Sequence, residues 1–320
     1  MRLFYLHYWQ QYFSNIHVNV IWFWILFNVF ILSMLVLDLG VFHKRQRVDT
    51  LKQSLLWVLF WMSLAFAFNV LVYFWKGHQS AFQFATGYVI EWSLSVDNLF
   101  VFILIFNYFN VPEKYQHRVL FWGILVALVL RGLFIVAGVS LFHRFDWMIY
   151  IFGVILVITA LRMIMKRDDE KDLSQNSIVR LTKMLFPVTD HYHQNKFFIR
   201  ERNKLHATPM FLVLMVINFT DIVFAVDSIP AVLAVSKDMF IVYTSNVFAV
   251  LGLRSMYFAL SGLVHIFRFL KYGIAIILIF VGVKMLSSNY YDISTQATLA
   301  VVISLLALSI LISVLMNKKK

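Results

Sequence analysis

The chain has 320 residues, of which 61% are hydrophobic, 18% aromatic and only 14% charged. Soluble domains usually carry about 25% charged residues, so this composition excludes a soluble globular enzyme and points to a polytopic membrane protein. The absence of cysteine removes disulfides, thiolate metal sites and thiol redox chemistry. The net charge of +12 lies mostly in loops and in the tail Lys318-Lys319-Lys320, where it reads as topology information rather than as a nucleic-acid surface.

Residues 1–19 are aromatic and amphipathic and lack the pattern of a cleaved signal peptide, so they read as an interfacial lead-in. Nine candidate spans follow, at roughly 20–42, 54–75, 83–109, 119–142, 147–166, 209–236, 240–263, 271–288 and 296–316. Their length and uniform apolarity predict helices, because barrel strands are shorter and alternate. Asp38 stands near the end of span one beside Gly40. It is a candidate guard of an entrance, or simply a helix-end acid. Thr50 to Gln53 and Ser80 to Gln83 have capping-box spacing, and Asp146 and Asp238 precede spans five and seven as candidate caps.

Span three carries Glu91-Trp-Ser-Leu-Ser-Val-Asp97-Asn98, and span six carries Asp221-Ile-Val-Phe-Ala-Val-Asp227-Ser228. In each, an acid is followed six residues later by a second acid with Val before it and an amide or hydroxyl after it. A charged side chain at the bilayer centre costs about 2.5–3.5 kcal/mol on insertion scales, so four acids in matched pairs point to a site for something cationic. Arg131 in span four matches Arg254 in span seven. Tyr150 and Arg162 in span five match Tyr272 and Lys284 in span eight at the same separation of twelve. Spans 3–5 therefore repeat as spans 6–8, and an odd number of spans per unit makes the second copy inverted. The expected organisation is residues 1–82 (lead-in and spans one and two), 83–166 (repeat one), 167–208 (a polar cytoplasmic connector), 209–288 (repeat two) and 289–320 (the last span and basic tail). The expected fold is an all-α membrane bundle of about nine transmembrane helices with an inverted 3+3 repeat. Basic residues concentrate on one side, with Lys44, Arg45, Arg47, Lys52, Lys114, Arg118, Arg268 and Lys271, which predicts an outside N-terminus and a cytoplasmic C-terminus.

Six helical residues turn 600°, so Glu91 and Asp97 differ by about 120° around the axis and ~9 Å along it. Either the acids line two levels of a path or the helix breaks between them. Pro230 withholds a donor from the carbonyl of Val226, which predicts a break beside Asp227 that exposes backbone oxygens. Glu91, Asp97, Asn98, Asp221, Asp227 and Ser228 offer only oxygen ligands, which suit magnesium, calcium or manganese(II) over zinc or copper. The bland alternative is that the acids only pair with Arg131 and Arg254, which otherwise compensate or gate an empty site. Asp190-His191-Tyr192-His193 in the connector reads as a solvated loop rather than a metal sensor.

The two acidic motifs, together with Phe145-Asp146-Trp147, Tyr150-Ile-Phe-Gly153 and Leu251-Gly-Leu-Arg254-Ser-Met-Tyr257, resemble the signatures of the TerC family of integral membrane proteins, closest to its Alx-like branch. The resemblance covers nearly the whole chain and implies a manganese exporter of the inner membrane, in a family whose name records tellurium resistance. One departure stands out: the position three before Asp221 is often Glu in that family, and here it is Asn218. The expected function is secondary export of manganese(II) as transported substrate, without a tightly bound cofactor, an enzymatic activity or a nucleic-acid partner. Moving a dication out against 100 mV costs about 4.6 kcal/mol, so proton antiport is the expected coupling. The alternatives are a membrane metallochaperone that hands manganese to exported proteins and a calcium or magnesium transporter. A tellurite-detoxifying redox enzyme is disfavoured by the missing cysteine and cofactor motifs.

Overall fold

The computed structural model describes residues 22–35, 50–145, 147–165, 184, 187–189, 191–193, 196–201, 204–261, 270–291 and 293–317. Asp38, Asp146 and most of the polar connector lie outside the described residues. The chain divides into two compact units, residues 1–48 and 49–320. The first contributes helix α1 (Trp22–Leu35). The second contains α2 (Leu51–Lys76), α3 (His78–Tyr108), α4 (Glu113–Arg144), α5 (Met148–Met165), a hairpin of β1 (Phe198–Glu201) and β2 (Lys204–Ala207), α6 (Pro209–Leu233), α7 (Met239–Leu251), α8 (Leu253–Ser261), α9 (Leu270–Leu286) and α10 (Thr295–Asn317).

Among the described residues, 7 helical segments are long and apolar enough to cross a membrane, with α7 and α8 together forming one of them. The protein is therefore a polytopic helical membrane protein. The segments differ in how much of themselves they bury. Helix α2 hides only a thin stripe of Ser54, Trp61, Ala65 and Val72 and leaves Leu55, Leu59, Phe66 and Phe74 exposed. Such a surface is at home in hydrocarbon, where exposed apolar side chains carry no penalty. Helices α3 and the α7–α8 segment are mostly buried and form the centre of the bundle.

Local signals account for several boundaries. The Thr50 hydroxyl accepts from Gln53 N while the Gln53 side chain accepts from Thr50 N, completing the expected capping box. Asp238 accepts from the backbone N–H groups of Phe240 and Ile241 at the start of α7. The second expected capping box does not form. Helix α3 begins at His78, directly after the turn at Gly77, so Ser80 lies inside the helix and donates to the carbonyl of Lys76.

Two further expectations are corrected. Helix α6 does not break at Pro230 but continues to Leu233. Pro230 sits in the last turn, where a withheld N–H costs one hydrogen bond without bending the helix away from its packing. The discontinuity falls instead at Gly252, between α7 and α8, two residues before Arg254. The polar connector also contains structure that its charge pattern hides. β1 and β2 pair antiparallel from Phe198 opposite Ala207 to Glu201 opposite Lys204, and Val188 bridges Ala207 in parallel. Thr208 fastens the hairpin to the start of α6 by donating to the carbonyls of Lys196 (2.7 Å) and Phe197 (3.2 Å). Tyr192 reaches the α3–α4 turn, where its hydroxyl donates to the carbonyl of Phe109 at 2.7 Å.

Candidate functional site

Helices α3 and α6 pack against each other, α3 also packs against α7 and α6 against α4, and α4 in turn meets α7. On α3, Gly87, Glu91, Ser95 and Asn98 fall on one buried stripe. On α6, Asn218, Asp221, Ala225 and Ser228 do the same. Spacings of three, four and seven keep such residues on one helix face. The absence of a side chain at Gly87 sets the closeness of α3 and α7: a Cβ there would lie 2.9 Å from the Ser245 hydroxyl.

Arg131 reaches across these stripes from α4. Its Nε donates to Asp221 Oδ2 at 3.2 Å and its Nη2 to Asp221 Oδ1 at 3.0 Å, the forked arrangement that suits a carboxylate. Its Nη1 donates to Glu91 Oε1. Arg131, Glu91 and Asp221 are 1%, 0% and 3% exposed. One arginine thus joins the first acid of both motifs in a buried triad whose formal charges leave one negative charge over.

The second acids face other partners. Asp227 accepts from the Thr159 hydroxyl of α5 at 2.8 Å, and Arg162 acts on it electrostatically. Asp97 is partly exposed and is acted on by Lys271 of α9. The roughly 120° rotation between first and second acids on each helix places them at different interfaces. Accordingly, among the described residues no group of three or more His, Asp or Glu side chains converges to hold a metal. The structure brings Glu91 and Asp221 together through Arg131 and does not gather all six expected ligands in one shell. Asn98 and Ser228 are buried on the same stripes as Glu91 and Asp221. Arg254 is buried immediately after the helix break. Among the described residues, which do not include Asp190, His191 and His193 take part in no group of three or more potential metal ligands.

The stripes that carry the triad also carry polar atoms without hydrogen-bond partners. Glu91 Oε2, and Ser95 Oγ, Asn218 Oδ1 and Ser228 Oγ on the stripes of α3 and α6, are buried and unpartnered, as are both amide atoms of Asn246 on α7. An unpaired buried polar group costs roughly 1–3 kcal/mol, so these groups on α3, α6 and α7 were not placed there for stability. Thr159 and Asn246 were not singled out by the sequence. Each sits in an apolar run where a lone hydroxyl or amide most often bonds within its own helix or to a neighbour.

The α5–α9 pair flanks the second acids. A Cβ at Gly153 would lie 3.0 Å from the Gly282 carbonyl, and one at Gly282 would lie 2.9 Å from the Gly153 carbonyl. Small residues at such a crossing let two membrane helices touch backbone to backbone. Asn289 also donates to the Tyr150 hydroxyl at one end of the pair.

Comparison with known proteins agrees with this architecture. The family model described as "Integral membrane protein TerC family" matches residues 76–320. An uncharacterized membrane protein of Myxococcus xanthus, STKORF319, is 44% identical over 295 residues, covering 92% of this chain and 92% of its own. A protein of Escherichia coli strain K12 called "Putative membrane-bound redox modulator Alx" is 42% identical over 301 residues, covering 91% of this chain and 94% of its own. An uncharacterized membrane protein of Rickettsia bellii is 41% identical over 292 residues, covering 91% and 97%. No solved structure matches. With a family model spanning most of its length and full-length relatives above 40% identity, the chain belongs to the TerC family of integral membrane proteins.

Proposed function

We propose that this protein is a secondary transporter that exports a divalent metal, manganese(II) foremost, rather than an enzyme. The observation that carries the reading is the meeting of the two acidic motifs: α3 and α6 abut inside the bundle, and one buried arginine holds Glu91 and Asp221 together. Intramembrane ionisable groups are costly, and where they converge from separate spans they mark ion paths. The donors are all oxygens, the ligand type that hard dications prefer. Asp97 and Asp227 lie about one and two-thirds turns further along their helices, at the α9 and α5 interfaces, and serve as a second level of the path.

On this reading spans 3–5 and 6–8 form an inverted repeat, and the spacing of small residues on α5 and α9 supports that. Gly153 and Ala160 stand seven residues apart on α5, as Ala275 and Gly282 do on α9, at the same offset of 122 that relates Tyr150 to Tyr272, and all four are buried. In inverted-repeat transporters the site lies near the midplane between the copies. The positive-inside pattern orients the protein in the inner membrane with its C-terminus in the cytoplasm. Protons moving inward would drive the dication out.

The name given to the Escherichia coli relative suggests a redox role for that protein. This chain contains no cysteine, so a thiol–disulfide mechanism does not supply such a role here. Manganese flux in proteoliposomes tests the proposal. Wild-type protein should move manganese and respond to a pH gradient, while Asp97→Ala and Asp227→Ala should each abolish flux and still insert. Binding without flux would favour the metallochaperone. Flux of calcium or magnesium in preference to manganese would reassign the substrate.

A further inference from the structure

Arg131 occupies the carboxylates that a metal would need. Its three donated hydrogen bonds take both oxygens of Asp221 and one oxygen of Glu91. A dication that ligates both oxygens of Asp221, or Oε1 of Glu91, competes with the guanidinium for them. We propose that Arg131 is a built-in surrogate for the transported ion, displaced from Glu91 and Asp221 by an incoming dication and received by the buried amides of Asn218 and Asn246. The proposal rests on the transport reading above and specifies the exchange step at that site.

Two placements make the exchange possible. Asn218 lies one turn before Asp221 on the same face of α6. Asn246 lies one turn after Tyr243 on α7, and the Tyr243 ring rests against Gly132, the neighbour of Arg131: a Cβ on Gly132 would be 3.4 Å from Tyr243 Cε2. Asn246 and Asn218 are 1% and 4% exposed, and each has an unpartnered side-chain oxygen. A guanidinium carries five N–H donors and no acceptor, so unoccupied amide oxygens are the neutral partners it requires once it leaves a carboxylate. Left bare in the interior, those amides are a cost. As a second resting place for Arg131 they have a use.

Charge then selects the substrate class. Two carboxylates and one guanidinium leave a residual charge of −1 in a low-dielectric interior. A dication attracts the carboxylate pair about twice as strongly as the singly charged guanidinium it displaces. A sodium or potassium ion carries only the guanidinium's own charge, so it gains no Coulomb energy over the group it would evict and forfeits that group's hydrogen bonds. The resident arginine thereby excludes monovalent cations even when they are abundant.

The test is direct binding of manganese chloride to the purified full-length chain in detergent, with and without potassium at cellular concentration, beside manganese flux in proteoliposomes. Removing the resident cation in Arg131→Gln should tighten manganese binding by about tenfold or more, because the competing state is gone. The same variant should become sensitive to potassium, unlike wild type, and should lose flux because the empty transporter no longer resets. Arg131→Lys, which keeps the charge but loses the fork, should fall between the two. Should Arg131→Gln fail to fold, Asn246→Asp gives the arginine a better second partner and should also tighten binding, while Asn246→Leu should weaken it. Unchanged or weaker manganese binding in folded Arg131→Gln, or indifference of binding to both Asn246 variants, overturns the exchange while leaving wild-type transport intact. Wild-type protein that binds no manganese overturns the transport reading and the exchange with it.

Discussion

The Thr159 hydroxyl donates to the Asp227 carboxylate at 2.8 Å, joining α5 to α6 across the interface that the second acid faces. A hydrogen bond to a charged group contributes about 1.5–3 kcal/mol. Thr159→Val keeps the shape and removes the donor. It should therefore lower manganese flux by roughly tenfold or more through a misoriented Asp227, with thermal stability changed far less than flux. Thr159→Ser should restore most of the flux. Comparable flux in Thr159→Val and wild type would mean that the hydroxyl does not position the acid.

The Arg131 triad predicts an order of stabilities in the metal-free protein. Arg131→Leu leaves two buried carboxylates without a cation and should cost about 3–5 kcal/mol. Asp221→Asn removes the forked partner but leaves Arg131 balanced by Glu91, so it should cost less. Glu91→Gln removes a single bond and should cost least. Thermal melts in detergent read the order, and a reversal between the Asp221 and Glu91 variants would contradict the bonding described.

Tyr192 provides a pH signature outside the membrane. Burial pushes its phenol up to about 12, well above the ordinary tyrosine value of 10.0. The folded state therefore holds its proton where the unfolded chain has begun to release it. The associated stability is complete below pH 10 and is lost as pH rises from about 10 towards 12. Limited proteolysis of the connector should accelerate across that window. Tyr192→Phe should flatten the pH dependence while raising cleavage modestly at neutral pH, since the bond to the Phe109 carbonyl contributes about 1 kcal/mol.

Asp238 caps α7 and also pairs with Lys76, whose ammonium lies near the rings of Trp75 and Phe240. The two roles separate by substitution. Asp238→Asn retains the cap and removes the charge, and should cost under about 1 kcal/mol because the pair is partly solvated. Asp238→Ala removes both and should cost about 1–2 kcal/mol more. Melting temperatures at low and high salt check the split: only the ion-pair part should fade with salt.

The sequence made the helical membrane architecture legible because apolar length is a direct requirement of the bilayer, and Thr50 and Asp238 marked helix starts because capping chemistry is local. It also placed Glu91 and Asp221 at corresponding positions of two spans. Their shared dependence on Arg131 was not legible, because the rotation of one helix against another is fixed by packing rather than by any one chain segment. The same holds for Thr159, which on its own helix is one hydroxyl in an apolar run. The expected break at Pro230 was misplaced because a proline three residues from the end of α6 leaves one carbonyl unpaired but has almost no helix beyond it to redirect, whereas Gly252 separates α7 from α8 without any proline. The β1–β2 hairpin was hidden in a charged stretch whose Phe198-Ile199-Arg200-Glu201 run lacks strand alternation.

At the crossing of Gly153 with Gly282, no side chain separates the two backbones, so α5 and α9 have nothing compressible between them. A tilt of α5 towards α9 therefore meets backbone and pushes on the helix that carries Lys271, the charge that bears on Asp97, while α5 itself carries Thr159, the donor to Asp227. The two distal carboxylates are in this sense linked through one tight helix pair.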